Sequence, residues 1–289
     1  MRRCTVLAGV ALATIAAGCT APVLEREAPT PARIVAEDVS YASGRTADVF
    51  LPAPLPEEPV PIVVLLHGCC GDRADLVKLA EATAAEGVAV VNVSWGGFAT
   101  TGSFPESYEE VACAVRFARA QGQRFGADPH RVALVGWTDG ALTGSVVALA
   151  GDEFSAERCT HKEHSALPDA FVGVNGFYGW TVPVDPEYVT DRAVRFFDGT
   201  PDEQPRAWHD ATPYAWLGRR PAMPSVLLVG ATDPLHADAV RYDGALRRAG
   251  QPSRLLVLPE AGDQSLTSAR TDEGRVVARE AAAAAHGAG

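Results

Sequence analysis

The feature that most constrains this chain is an alternation that begins at residue 60. Apolar runs at 60–66, 88–93, 132–135, 170–174, 225–229 and 253–258 read as strands. Segments with helical periodicity lie between or after them, at 72–85, 107–121, 140–150, 236–249 and 265–285. The run VPIVVLL at 60–66 is continuously apolar, the mark of a strand buried on both faces. Strands that alternate with helices pair in parallel, and the crossover helices cover both faces of the sheet. Residues 34–41 and 46–51, joined by a Ser-Gly-Arg turn, read as an antiparallel lead-in. The fold class is therefore α/β, with a mostly parallel central sheet and helices on both faces. Residues 181–220 break the rhythm, rich in Pro, Asp, aromatic residues and His, and read as a short lid-like insertion.

The N-terminus reads as a targeting segment. Arg2 and Arg3 precede an apolar stretch, 6–17, too short to span a bilayer comfortably. It ends in Ala16-Ala17-Gly18-Cys19, which resembles the lipobox of bacterial lipoproteins, although the position three before the cysteine is Ala rather than Leu. That resemblance implies a signal peptide over 1–18, acylation of Cys19, a polar tether over 19–32 and one domain over 33–289. The implied location is extracytoplasmic, with the chain lipid-anchored to the bacterial cell membrane; the alternative is plain secretion. Four cysteines remain in the exported part, Cys69, Cys70, Cys113 and Cys159, so disulfides are permitted. Adjacent residues give strained disulfide geometry, which counts against Cys69 with Cys70, and the sequence does not choose among the pairings. Cys113, inside a helical segment, reads equally as a small buried hydrophobe. A formal net charge of −11 argues against nucleic acid as a partner.

In a doubly wound sheet, ligands bind beyond the C-terminal ends of the strands. The loop after the strand at 132–135 reads Gly136-Trp137-Thr138-Asp139-Gly140, the pattern of a nucleophile elbow. In an elbow the central residue sits on a sharp strand-to-helix turn, and small residues two before and two after let the chains pass closely.

Three motifs together resemble the α/β-hydrolase family, in its carboxylesterase and dienelactone-hydrolase-like branch, over roughly residues 33–285. His67-Gly68-Cys69-Cys70 looks like the family's oxyanion loop. Gly126-Ala127-Asp128-Pro129-His130-Arg131 looks like its lead into the elbow. Gly230-Ala231-Thr232-Asp233-Pro234-Leu235 looks like the loop that carries the catalytic acid. The resemblance implies an α/β-hydrolase fold and a small-molecule, ester-like substrate or ligand, with no cofactor and no metal. It places Thr138 at the nucleophile position, Asp233 at the acid and Asp263 at the histidine, with Cys69, Cys70 and Asp139 supplying the oxyanion-hole N–H groups. Trp95, Phe98, Trp137, Phe177, Tyr178 and Trp180 are the expected pocket walls.

Two of the three triad positions depart from the family pattern. A hydroxyl nucleophile needs a base with a pKa near working pH, which imidazole provides and an ordinary carboxylate, near 4, does not. The elbow also demands a positive φ, costly for a β-branched residue such as threonine. Asp139 counts for less, since its side chain can point away while its N–H serves the oxyanion. His67 belongs to the oxyanion loop, His130 lies at the wrong end of the elbow strand, and His161 and His164 fall in a charged loop. His209 lies in the insertion, and His236, three residues past Asp233, is the best substitute base by position. The sequence thus points to an esterase-like chain that is catalytically weak or inactive with a retained pocket. The alternative is an active carboxylic-ester hydrolase using Thr138 with a base such as His236.

Overall fold

The computed structural model describes residues 31–68, 71–98, 102–179, 189–259 and 263–287, without the side chains of 263 and 264. Eight strands form one sheet: β1 (Ala32–Ala42), β2 (Arg45–Pro52), β3 (Val60–Leu66), β4 (Ala89–Val93), β5 (Ala127–Trp137), β6 (Ala170–Val174), β7 (Ser225–Gly230) and β8 (Ser253–Leu258). Their order across the sheet is β1-β2-β4-β3-β5-β6-β7-β8. β2 runs antiparallel to both neighbours, and every later pairing is parallel. All residues of β3, β4 and β6 are buried, as continuous apolar strands must be when helices cover both faces.

The helices are α1 (Val77–Ala85), α2 (Glu106–Gln121), α3 (Asp139–Ala150), α4 (Asp191–Phe197), α5 (Pro205–Asp210), α6 (His236–Arg248), α7 (Asp263–Thr267) and α8 (Asp272–His286). On one face, Leu79 and Ala80 of α1 and Val277, Ala281 and Ala285 of α8 pack on Val63, Val135 and Val172. On the other, α2 and α3 cover the centre of the sheet, and α6 sets Ala239, Tyr242 and Leu246 against Phe171, Leu227 and Val229.

The final helix expected over 265–285 is two helices. Thr271 caps α8 by accepting from the Gly274 N–H at 3.0 Å, and Gly274 lies hard against the Ser268 carbonyl. That tight approach turns the chain where apolar periodicity alone runs on. β5 is also longer than the apolar run at 132–135. Its polar first half is held by Asp128, which accepts from the His130 N–H at 2.9 Å and from Arg131 Nε at 2.7 Å.

Cys113 on α2 is bonded to Cys159, 46 residues on, with the Cα atoms 5.0 Å apart. Cys113 is therefore a bridge and not merely a small buried hydrophobe. The segment expected as an insertion contains α4 and α5, whose Phe196, Phe197 and Trp208 pack around Phe104 and Tyr108 of the α2 region.

Candidate active site

The sheet order turns back on itself between β4-β3 and β5-β6, so the C-terminal ends of β3 and β5 flank a topological switch point. The register there is tight. Leu66 pairs with Gly136, Trp137 with Val174, and Val174 with Leu228. The loops after β3, β5, β6 and β7 consequently emerge side by side, carrying Gly68, Thr138, Asn175 and Asp233.

Thr138 has φ 47 and ψ −111 and starts α3. The flanking glycines are needed. A Cβ on Gly136 would strike the Gly140 carbonyl, and one on Gly140 would lie 2.5 Å from the His67 carbonyl oxygen. A Cβ on Gly68 would run into the Thr138 hydroxyl itself. The turn is fixed by backbone hydrogen bonds from Thr138 N–H to the Val174 carbonyl, 3.1 Å, and from Phe177 N–H to the Thr138 carbonyl, 3.3 Å. Threonine is thus held at the positive φ that it disfavours, with its side chain partly exposed at the strand ends.

The Asp139 side chain does not point away. The Thr138 hydroxyl donates to Asp139 Oδ1 across 3.2 Å, and the Phe98 N–H donates to Oδ2 at 3.0 Å. Asp139 is only 6% exposed. Burial lifts its pKa to about 6, although hydrogen bonds from Thr138, Phe98 and Gly140 pull the other way. The expectation that only its N–H matters is corrected by this packing. A Cβ on Gly97 would lie 3.1 Å from Oδ2, tighter than side chains ordinarily pack, so the lack of a side chain there helps the loop after β4 bring the Phe98 amide onto the carboxylate. That loop is braced from behind, since Glu110 of α2 accepts from the Gly96 N–H at 2.8 Å and pairs with Arg45 at 2.8 Å.

Asp233 accepts from Asn175 Nδ2 and from the Leu235 N–H, both at 2.8 Å. Asn175 itself sits at φ 42, and its Oδ1 accepts from the Gly230 N–H at 3.1 Å. Sequence reasoning did not single out Asn175. The signal available was its position, as the first residue past an apolar strand and one before Gly176.

Asp263 opens α7 just after β8, and its side chain lies outside the described residues, as do Cys69, Cys70 and Trp180. His236 begins α6 with its N–H on the Asp233 carbonyl at 3.0 Å, and its ring is partly buried. His67 is buried, with Nδ1 3.1 Å from the Gly68 carbonyl and its ring 5.5 Å from that of Trp95. Burial lowers its pKa, so the ring is held neutral. His209, exposed in the last turn of α5, is bound to Asp210 at 2.9 Å, and His161 and His164 share Glu163.

The expected walls separate into two groups. Phe98 and Phe177 are partly exposed beside the elbow. Trp137 and Tyr178 are each 1% exposed, and they are core rather than wall. Trp137 lies in the cluster beneath α1 and α8, and Tyr178 stacks on Tyr242 with ring centroids 4.3 Å apart. Trp95 is buried behind the loop and donates to the His67 carbonyl at 3.3 Å.

The eight-stranded sheet and its strand-to-helix turn at Thr138 are those of an α/β-hydrolase fold. A family model, BD-FAE, matches residues 47–238, and the chain belongs to that esterase-like family. The match spans the elbow and Asp233 and ends before Asp263. The chain is 28% identical over 195 residues to Esterase LipC of Mycobacterium tuberculosis, covering 64% of this chain. It spans about half, 47%, of that relative's length. Among solved structures, a truncated carbohydrate esterase from gut microbiota superposes with a TM-score of 0.71 at 14% identity, over 88% of this chain and 98% of that one. A bacterial heroin esterase gives 0.68 at 19% identity, over 89% and 84%. At such identities these structures speak for the fold.

Proposed function

We propose that this chain is an exported, esterase-like protein that keeps an ester-binding pocket but hydrolyses esters slowly. The observation that carries this reading is the elbow itself. The nucleophile position is a threonine at φ 47 whose hydroxyl donates to the Asp139 carboxylate. Asp263 stands where the family resemblance places the histidine. Removing an efficient general base typically costs about 10²- to 10⁴-fold in rate. The substrate class is a carboxylic ester small enough to pass Phe98 and Phe177, in keeping with the esterase names borne by its relatives. Anchoring through Cys19 is part of the same proposal, and the Cys113–Cys159 bridge supports an oxidising compartment.

The test is hydrolysis of short p-nitrophenyl esters by the natural chain and by the double variant Thr138→Ser with Asp263→His. The expected result is a double variant faster than the natural chain by two orders of magnitude or more. A natural chain as fast as the double variant, and silenced by Thr138→Ala, would overturn the reading. So would a double variant that is folded and silent.

A further inference from the structure

The Asp139 carboxylate is in contact with the Thr138 hydroxyl, and the family mechanism has no use for it. From this contact we infer that Asp139 is the base that activates Thr138, so that two consecutive residues perform the acyl transfer that the family divides between serine and histidine. The inference rests on the proposal that this is a slow ester-hydrolysing site, and it names the group by which the remaining reaction proceeds.

Three features of the geometry carry it. The donor and acceptor are already paired, with Thr138 Oγ1 3.2 Å from Asp139 Oδ1. The carboxylate is fixed at its other oxygen by the Phe98 N–H, so it cannot swing away without breaking that bond. It is buried, and burial raises the basicity of a carboxylate. A pKa of about 6 brings it close to that of a free imidazole, near 6.5. Among the described residues, the titratable groups near it are few. Tyr108 of α2 is buried, and its pKa is pushed up, so it stays neutral. Glu110 is held with Arg45 behind the Gly96-Gly97 turn, where it serves the Gly96 N–H.

The reaction balances with no further group. The Thr138 Oγ1 proton passes to Asp139 Oδ1 as Oγ1 attacks the ester carbonyl carbon, giving a tetrahedral intermediate. Collapse breaks the bond to the alcohol oxygen, which takes the proton from Asp139, and leaves an acyl-Thr138 ester. Water then attacks that ester, giving its proton to Asp139. Thr138 regains it as the carboxylic acid leaves. Only the ionised carboxylate can act as the base, so reactivity rises with pH through about 6 and levels above it.

The experiment uses the full chain, purified in detergent, and a fluorophosphonate ester as probe. Attack by Thr138 forms an Oγ1–P bond and expels fluoride, while the proton goes to Asp139, so labelling is stoichiometric and is read by mass spectrometry even where turnover is slow. The expected result is a label on Thr138 whose rate climbs through pH 6 and falls about a hundredfold or more in Asp139→Asn. The pH profile of the natural chain needs no variant and guards against a folding artefact. Labelling that declines as pH rises would show that the carboxylate hinders the site. Labelling indifferent to Asp139→Asn but lost in His236→Gln would assign the base to His236. Either result overturns the inference, as does no labelling at all. A faster Thr138→Ser, Asp263→His double variant would still leave the proposed function standing in each of these cases.

Discussion

Asn175 joins the ends of two neighbouring strands to the Asp233 carboxylate. Its Nδ2 donates to Asp233 Oδ2 at 2.8 Å, and its Oδ1 accepts from the Gly230 N–H at 3.1 Å. It does so from φ 42, a conformation that asparagine tolerates better than most residues. Asn175→Ala should therefore leave a buried Gly230 N–H and one carboxylate oxygen without this partner, at about 1–3 kcal/mol. Chemical denaturation measures the loss. Asn175→Asp should be worse than alanine above pH 5, because it faces Asp233 with a second carboxylate.

Asp139 couples stability to pH. Its folded-state pKa is raised from 3.8 to about 6, so the protonated form is the one that folding favours. The associated stability is fully present below about pH 3.8 and is lost as pH rises through about 6, a span of about 3 kcal/mol. Asp139→Asn should accordingly melt higher than the natural chain at pH 8, and the two should converge toward pH 4. Buried His67 acts in the opposite sense, losing stability as pH falls, but it is common to both chains and cancels in the difference. Thermal melts of the pair at the two pH values decide the matter.

The glycines around Thr138 should separate by what their added methyl meets. In Gly140→Ala the obstacle is backbone, the His67 carbonyl oxygen at 2.5 Å, which cannot step aside. The expected cost is at the upper end of overpacking, about 3 kcal/mol. In Gly68→Ala the obstacle is the Thr138 hydroxyl, which can rotate. Stability should fall less there, while reactivity at Thr138 should fall sharply as the hydroxyl turns off Asp139. Urea unfolding beside fluorophosphonate labelling distinguishes the two.

Opening the Cys113–Cys159 bridge should lower stability by about 4 kcal/mol, from the loop entropy of a 46-residue separation. The measurement is the urea midpoint of Cys113→Ala with Cys159→Ala against the natural chain. A small difference would mean that the surrounding packing, including buried Arg116 with its Nε on the His164 carbonyl at 3.1 Å, holds the segment by itself.

Much of the scaffold was legible because burial on both faces writes itself as uninterrupted apolar runs. The bounds of β3 and β6 follow directly from that signal. The first half of β5 escaped it, since Asp128, Pro129 and His130 break the apolar run and fall in the register shift between the Val60–Ala127 and Ile62–Val132 pairs, away from full burial. The site was legible in its backbone logic, from the glycines around Thr138 to the loop bearing Asp233. The direction of the Asp139 side chain was not, because it is set by Phe98 and Gly97, some forty residues distant in sequence. Trp137 and Tyr178 misled for a related reason. Aromatic residues at strand ends look alike in sequence whether they face a cleft or the far side of the sheet, and the helices packed there decide.

The positive φ of Thr138 gives the elbow the character of local frustration. A β-branched residue is kept in a backbone conformation that it resists, beside a carboxylate kept out of water. Glycine at 138 and asparagine at 139 would each relax the chain toward its neighbours and would each remove a reacting atom. Variants selected only for heat resistance should converge on these two adjacent positions and lose the chemistry as they do so. Sequence and surroundings disagree here in backbone, side chain and charge together, which is how a fold looks where its shape answers to something other than its own endurance.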